Sequence, residues 1–410
     1  MKRFTLCTLA LFLLVSGLAS PLRADLCDSD VRPAATLLLP YFEVDVNDPE
    51  GVNTVFSINN ADVTAVLAHV VLWTDLSVPV MDFNVYLTGF DMEVIDLRSL
   101  IVNGSLPQTA SDGQDPADTV SPQGEFSQDI NFSSCTGMLP LPPTLPPIFI
   151  QHLQNSLTGQ PSLILGGNCA GRDRGDGIAR GYVTIDTVNT CTLLFPSDPG
   201  YFGPGGSATA QNVLFGDYTL VNPGKRTGFG NPMVHVEADP AGFAPGSYSF
   251  YGRYVGWNGS DGREPLPTTF GVRYENENSD LIVWRDSKVS QTPVACPAQA
   301  PWQPLGQEKI IAFDQEETPV VLTTNAFPVE AQRTRVGGNR LPVPHDSGWL
   351  YLNLNTPVAQ AGANPPQDPA AAQAWVSVVT RSDNGRISVG YDAMRYDSAC
   401  SPKHSDPGEF

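Results

Sequence analysis

The feature that most constrains the fold is a run of short apolar segments over residues 36–101, broken by turn chemistry at intervals of about ten residues. Leu37, Leu39 and Tyr41 alternate with Leu38, Pro40 and Phe42, and Asn47-Asp48-Pro49-Glu50-Gly51 then turns the chain. Thr54, Phe56 and Ile58 follow at period two, and Asn59-Asn60 turns it again. Val66, Ala68, Val70 and Leu72 oppose Leu67, His69, Val71 and Trp73, which predicts a strand buried on both faces in the middle of a sheet. Segments 80–87 and 92–97 continue the series. Short strands at this spacing predict an antiparallel Ig-like β-sandwich over residues 25–104.

Composition agrees with an all-β chain. Glycine and proline number 37 each, and charged residues make up only 16%, below the roughly 25% of an average soluble domain. That balance argues against a coiled coil or a helical bundle. Hydrophobic residues at 41% are enough for a packed core. Residues 105–147, rich in Pro and Asp, read as a linker or long loop. A helix is predicted next: Pro147 suits a first helical position, Phe149, Leu153 and Leu157 share one face, and Gly159 supplies the stop. Residues 148–295 read as a central β-rich domain, in which segments 248–257, 270–274 and 281–284 form a three-stranded meander. Residues 296–410 read as a C-terminal β region packed on the central domain. Its segment 349–354 pairs with 374–380 and 387–396, the last two joined at Asp383-Asn384-Gly385. The fold class expected is therefore one or more antiparallel sandwiches, a larger irregular β region, and at most one or two short helices.

The first 24 residues have the grammar of a secretory signal peptide. Lys2 and Arg3 precede an apolar stretch from Phe4 to Val15, and a small-residue segment ends at Ala24. The apolar stretch is shorter than the ~20 residues a bilayer requires, and no other segment is expected to span a membrane. Export makes the destination the periplasm or the extracellular space. The full chain carries a net charge of −20, and loss of the leader removes three basic residues and no acid. A field of that sign repels phosphate backbones, which argues against nucleic acid as a partner. Six cysteines remain after cleavage: Cys27, Cys135, Cys169, Cys191, Cys296 and Cys400. In an oxidising compartment they are disulfide candidates, and Cys169 with Cys191 is the short-range pairing.

Catalytic motifs are few. The chain contains no GxSxG elbow, no HExxH and no P-loop. His345-Asp346-Ser347 is contiguous, whereas a triad assembles its members from separate elements. Asp45, Asn47, Asp48 and Glu50 place four oxygen-bearing side chains in one turn, and hard cations take 6–8 oxygen ligands. Ca²⁺ is thus the one cofactor candidate, set against the backbone reasons that draw Asp and Asn to turns. Tyr251, Arg253, Trp257, Arg273 and Trp284 would form one aromatic and cationic face of the meander. Such a face stacks on sugar rings, unless those rings cover another layer of the sandwich. A glycosidase needs a pair of carboxylates, and nothing among the 43 acids selects one.

Several stretches carry a resemblance: Ala35 to Asp45, Asn53 to Asn60, Tyr251 to Trp257, Leu281 to Lys288 and Gly348 to Leu354. They resemble a group of β-rich proteins exported by Gram-negative environmental bacteria, over most of the mature chain. The resemblance implies export and an envelope setting, and no catalytic residue or cofactor comes with it. The expectation is an exported, non-enzymatic structural or binding protein, with a glycan or an envelope protein as its partner. The alternative is a carbohydrate-active protein, either a glycan-binding module or a glycoside hydrolase.

Overall fold

In the computed structural model, the described residues are 31–107, 144–242, 249–255, 259–287, 292–296, 305–355, 373–382 and 387–397. The expected leader, most of the 105–147 linker, Trp257, Cys27, Cys135 and Cys400 lie outside them.

The chain is all-β. Its first nine strands are β1 (Thr36–Asp45), β2 (Asn53–Asn60), β3 (Val66–Thr74), β4 (Pro79–Leu87), β5 (Met92–Asp96), β6 (Ile178–Val188), β7 (Leu214–Asn222), β8 (Thr227–Pro232) and β9 (Val234–Val236). They form two antiparallel sheets, ordered β4-β3-β6-β1-β9 and β5-β2-β7-β8. The remaining strands are β10 (Thr269–Glu275), β11 (Ser279–Arg285), β12 (Lys309–Phe313), β13 (Pro319–Leu322), β14 (Ala331–Arg335), β15 (Ser347–Asn353), β16 (Ala374–Arg381), β17 (Ser388–Asp392) and β18 (Met394–Arg395). These form β13-β12-β15-β10-β18 and β14-β11-β16-β17, also antiparallel.

The sheets do not respect the expected division of the chain. Strand β6 inserts between β1 and β3, pairing Leu37 with Ile185 on one side and Val70 with Ile185 on the other. Residues 178–236 therefore complete the sheets begun by residues 36–96, and residues 25–104 are not a sandwich by themselves. The boundary near 295 fails likewise, because β10 and β11 pair with strands that follow it. The described residues do not form the predicted meander either. Residues 252–255 form a helical turn, and β10 and β11 lie in different sheets. The link between them, with Glu277 at φ 62°, is an arch from one sheet to the other rather than a hairpin. Segment 349–354 pairs through β15 with β10 and β12, not with β16, whereas the β16–β17 pairing is as expected.

Period-two burial explains how the layers stack. On one face of the inner sheet, Ile282, Trp284, Ala331, Trp375 and Val379 join the large core that also holds Leu37, Phe42, Val70 and Val183. On the other face, Leu281, Val283, Val376 and Val378 join a second core with Phe270, Ile310 and Leu350. That sheet is a shared wall, apolar on both sides. Strand β3 is buried at every position, as its doubly apolar sequence predicts.

Among the described residues there are three helices, one more than expected: α1 (Leu97–Ile101), α2 (Pro147–Thr158) and α3 (Gly252–Val255). The predicted helix is α2, with proline in its first turn, Leu153 and Leu157 buried, and Gly159 closing it at φ 77°. None of these helices is long and apolar enough to cross a membrane. Cys169 is bonded to Cys296, with a Cα–Cα distance of 5.4 Å, rather than to Cys191. The backbones of Cys169 and Val294 exchange both hydrogen bonds, at 2.8 and 2.9 Å, and this bridge brings Cys296 alongside. Cys191 is also disulfide-bonded.

Candidate functional site

The aromatic and cationic residues expected on one exposed face are dispersed. Tyr251 and Trp284 are each 2% exposed, and the Arg253 side chain is 3% exposed. Among the described members of the set, Arg273 alone faces solvent, where it pairs with Glu275 at 3.1 Å. The arch between β10 and β11 places Arg273 and Trp284 in different sheets, and α3 breaks the alternation that would have aligned Arg253 with them.

Tyr251 and Arg253 instead anchor two buried polar networks. Asp186 on β6 accepts hydrogen bonds from Tyr201 (2.7 Å), Tyr251 (2.9 Å) and Thr36. Arg263 closes the set, donating to Thr36 at 3.0 Å and standing 3.6 Å from Asp186. Burial, followed by the Asp186 charge, raises both tyrosines well above their ordinary range, so they stay neutral donors. In the second network, Arg253 reaches Asp286 at 2.8 Å and both Glu330 oxygens at 3.0 Å. Burial alone would lower the Arg253 pKa, but Asp286 and Glu330 outweigh it. Trp73 stacks between Tyr182 and Tyr254 beside this ion pair. Such groups cement an interior, since removing one partner strands the others in a medium of low polarity.

In the acidic turn after β1, Asp45 and Asp48 spend side-chain oxygens on the turn's own backbone. Asp45 Oδ1 accepts from the amides of Asn47 and Asp48, both at 3.0 Å, and Asp48 Oδ1 accepts from Glu50 at 2.9 Å. Arg98 braces the turn from outside by donating to the carbonyls of Asp48, Gly51 and Val52. Among the described residues, no group of three or more His, Cys, Asp or Glu side chains is arranged to hold a metal ion. His345 lies 4.0 Å from Asp314, and Ser347 accepts a hydrogen bond from Gln315.

The same turn does border a cleft of about 880 Å³. One wall comes from the first pair of sheets: Glu43 and Asp45 at the end of β1, Ile178 and Arg180 at the start of β6, and the β7–β8 turn with Lys225. The facing wall comes from the shared inner sheet: Arg333 and Arg335 on β14, Val379 and Arg381 on β16, and Ser388 on β17. Strand pairing sets the charged cluster. Asp280 on β11 lies opposite Arg335 on one side and Val379 on the other, so period two puts Arg333, Arg335, Asp280 and Arg381 on one face. Arg381 grips Asp280 with both terminal nitrogens, at 2.8 and 2.9 Å. Arg333 reaches Asp280 at 2.8 Å and Glu43, across the cleft, at 3.2 Å. Its guanidinium also sits 5.8 Å from the centre of the Phe229 ring, which fixes its plane. Burial would raise the Asp280 pKa, but the charges and hydrogen bonds of Arg333, Arg381 and Arg335 hold it below the usual carboxylate range. The one sequence signal for this wall is the alternation Arg333-Thr334-Arg335 in a strand, which names no partner until the strands are paired. No family model, curated protein or solved structure matches the chain.

Proposed function

We propose that this is an exported, non-catalytic binding protein of the bacterial envelope or extracellular space, with its ligand seated in the cleft between the two pairs of sheets. The observation that carries the reading is the cleft itself: an open space of about 880 Å³ with charged side chains from both walls, at the joint of the molecule. The carboxylates there support binding rather than acid–base chemistry, because Asp280 is held by arginines and Asp45 by turn amides. The signal-like N-terminus and the negative net charge support export and argue against nucleic acid as the partner. A carbohydrate-active role remains the second reading. It loses the aromatic face, since Tyr251 and Trp284 are interior, and retains the polar cleft.

Thermal-shift screening of the mature chain against a glycan and metabolite library tests this, with Thr227→Trp filling the cleft from β8. At least one compound class is expected to raise the Tm of the wild type and not of the variant. A library that shifts neither protein, or that shifts both alike, overturns the proposal.

A further inference from the structure

The arginine wall holds more positive charge than its carboxylates require. Asp280, with its side chain 5% exposed, is contacted by Arg333 through Nε and Nη2 and by Arg381 through both terminal nitrogens. Three of these contacts fall on Oδ2 and one on Oδ1, so the two arginines take most of the roughly four acceptor positions a carboxylate offers. Arg335 adds a longer contact, from Nε at 3.3 Å. Among the described residues, the two terminal nitrogens of Arg335 have no hydrogen-bond partner. Its side chain is 55% exposed at the cleft, whereas Arg333 and Arg381 are about one-fifth exposed. The surplus is local to this wall: three guanidiniums meet Asp280 and, through Arg333, Glu43, whereas the opposite wall carries Asp45, Asp48 and Glu50 beside Arg180 and Lys225. A third guanidinium beside a carboxylate already gripped by two others meets repulsion from its neighbours, which an arriving anion relieves. The geometry is rigid where it needs to be. Arg333 is clamped by Asp280, Glu43 and the Phe229 ring, and Arg381 by a two-point contact, so they hold the field while Arg335 is free to close on a ligand.

We infer that this wall is an oxyanion seat, in which Arg335, backed by Arg381, receives a carboxylate or phosphate group of the ligand. The inference rests on the cleft being the ligand site and names the chemistry of one end of it. Both anions present two or three oxygens to a planar fork of N–H donors, which a neutral sugar cannot match.

Isothermal titration of the mature protein with trigalacturonate, inorganic phosphate and neutral galactotriose distinguishes the sources. One of the two anions is expected to bind with 1:1 stoichiometry, and Arg335→Gln to weaken it about tenfold or more. Arg335→Lys should recover part of that loss, because it restores charge without the fork. If neither anion binds, or if Arg335→Gln leaves anion affinity unchanged, the seat is refuted. Thr227→Trp separates that failure from failure of the cleft. Galactotriose binding that Thr227→Trp abolishes and Arg335→Gln does not would leave the cleft standing without its oxyanion seat. Binding of any probe untouched by Thr227→Trp would remove the cleft reading as well. Arg335 is more than half exposed, so its variants are expected to keep the melting temperature of the wild type, and this is checked alongside.

Discussion

At the scale of single residues, His235 shows how burial sets a protonation state. It sits on β9 against the Phe215 ring, 4.7 Å between centres, and its Nε2 accepts a hydrogen bond from the Gly216 amide at 3.2 Å. That lone pair exists only on the neutral ring. Burial pulls its pKa from 6.5 down to about 4, opposed in part by a hydrogen bond to the Met233 backbone. The folded protein therefore binds this proton less readily than the unfolded chain. The resulting stability is present above pH 6.5 and is lost as pH falls towards 4. The effect amounts to at most about 3 kcal/mol. His235→Gln keeps an acceptor for Gly216 and cannot gain that proton. Urea unfolding at stepped pH should show the wild type losing more stability than the variant between pH 6.5 and 4. Parallel losses in the two proteins would show that His235 does not titrate this way.

Among the elements, α2 is the most locally determined, and its end can be tested. Gly159 adopts φ +77°, and a Cβ there would lie 2.1 Å from the Asp173 amide nitrogen. Gly159→Ala should cost more than the ~1 kcal/mol of a simple left-handed substitution, because the 172–173 backbone has to move as well. Chemical denaturation reads this directly, and a loss below that figure would mean that the 172–173 loop yields freely. The helix was legible because proline, apolar spacing and glycine all act within one segment. So were β1, β2 and β3, whose period-two patterns and turn residues need no partner to be read. What failed was pairing. Consecutive strands such as β10 and β11 usually form a hairpin, and nothing in Asn276-Glu277-Asn278 announces an arch between sheets. For that reason the sequence alone places Trp284 and Arg273 on one face. The arginine wall is not legible for the complementary reason: Asp280, Arg335 and Arg381 meet only after β14 and β16 have taken their places on either side of β11.

For the molecule as a whole, the bond between Cys169 and Cys296 spans 127 residues and ties the segment beyond α2 to the chain just after β11. A crosslink over such a distance removes much freedom from the unfolded chain and typically contributes about 2–4 kcal/mol. The double variant Cys169→Ser/Cys296→Ser should unfold at a correspondingly lower urea concentration. An unchanged midpoint would place the stability elsewhere, in the shared inner sheet and its two cores. The interleaving of β6 between β1 and β3 has a further consequence for biosynthesis. Translation delivers β1 to β5 long before Ile178–Val188 exists, and β9 comes later still. Until then the nascent polypeptide displays two sticky ribbons with no neighbour to cover them. Such ribbons stay open to mispairing until the later strands arrive to cover them.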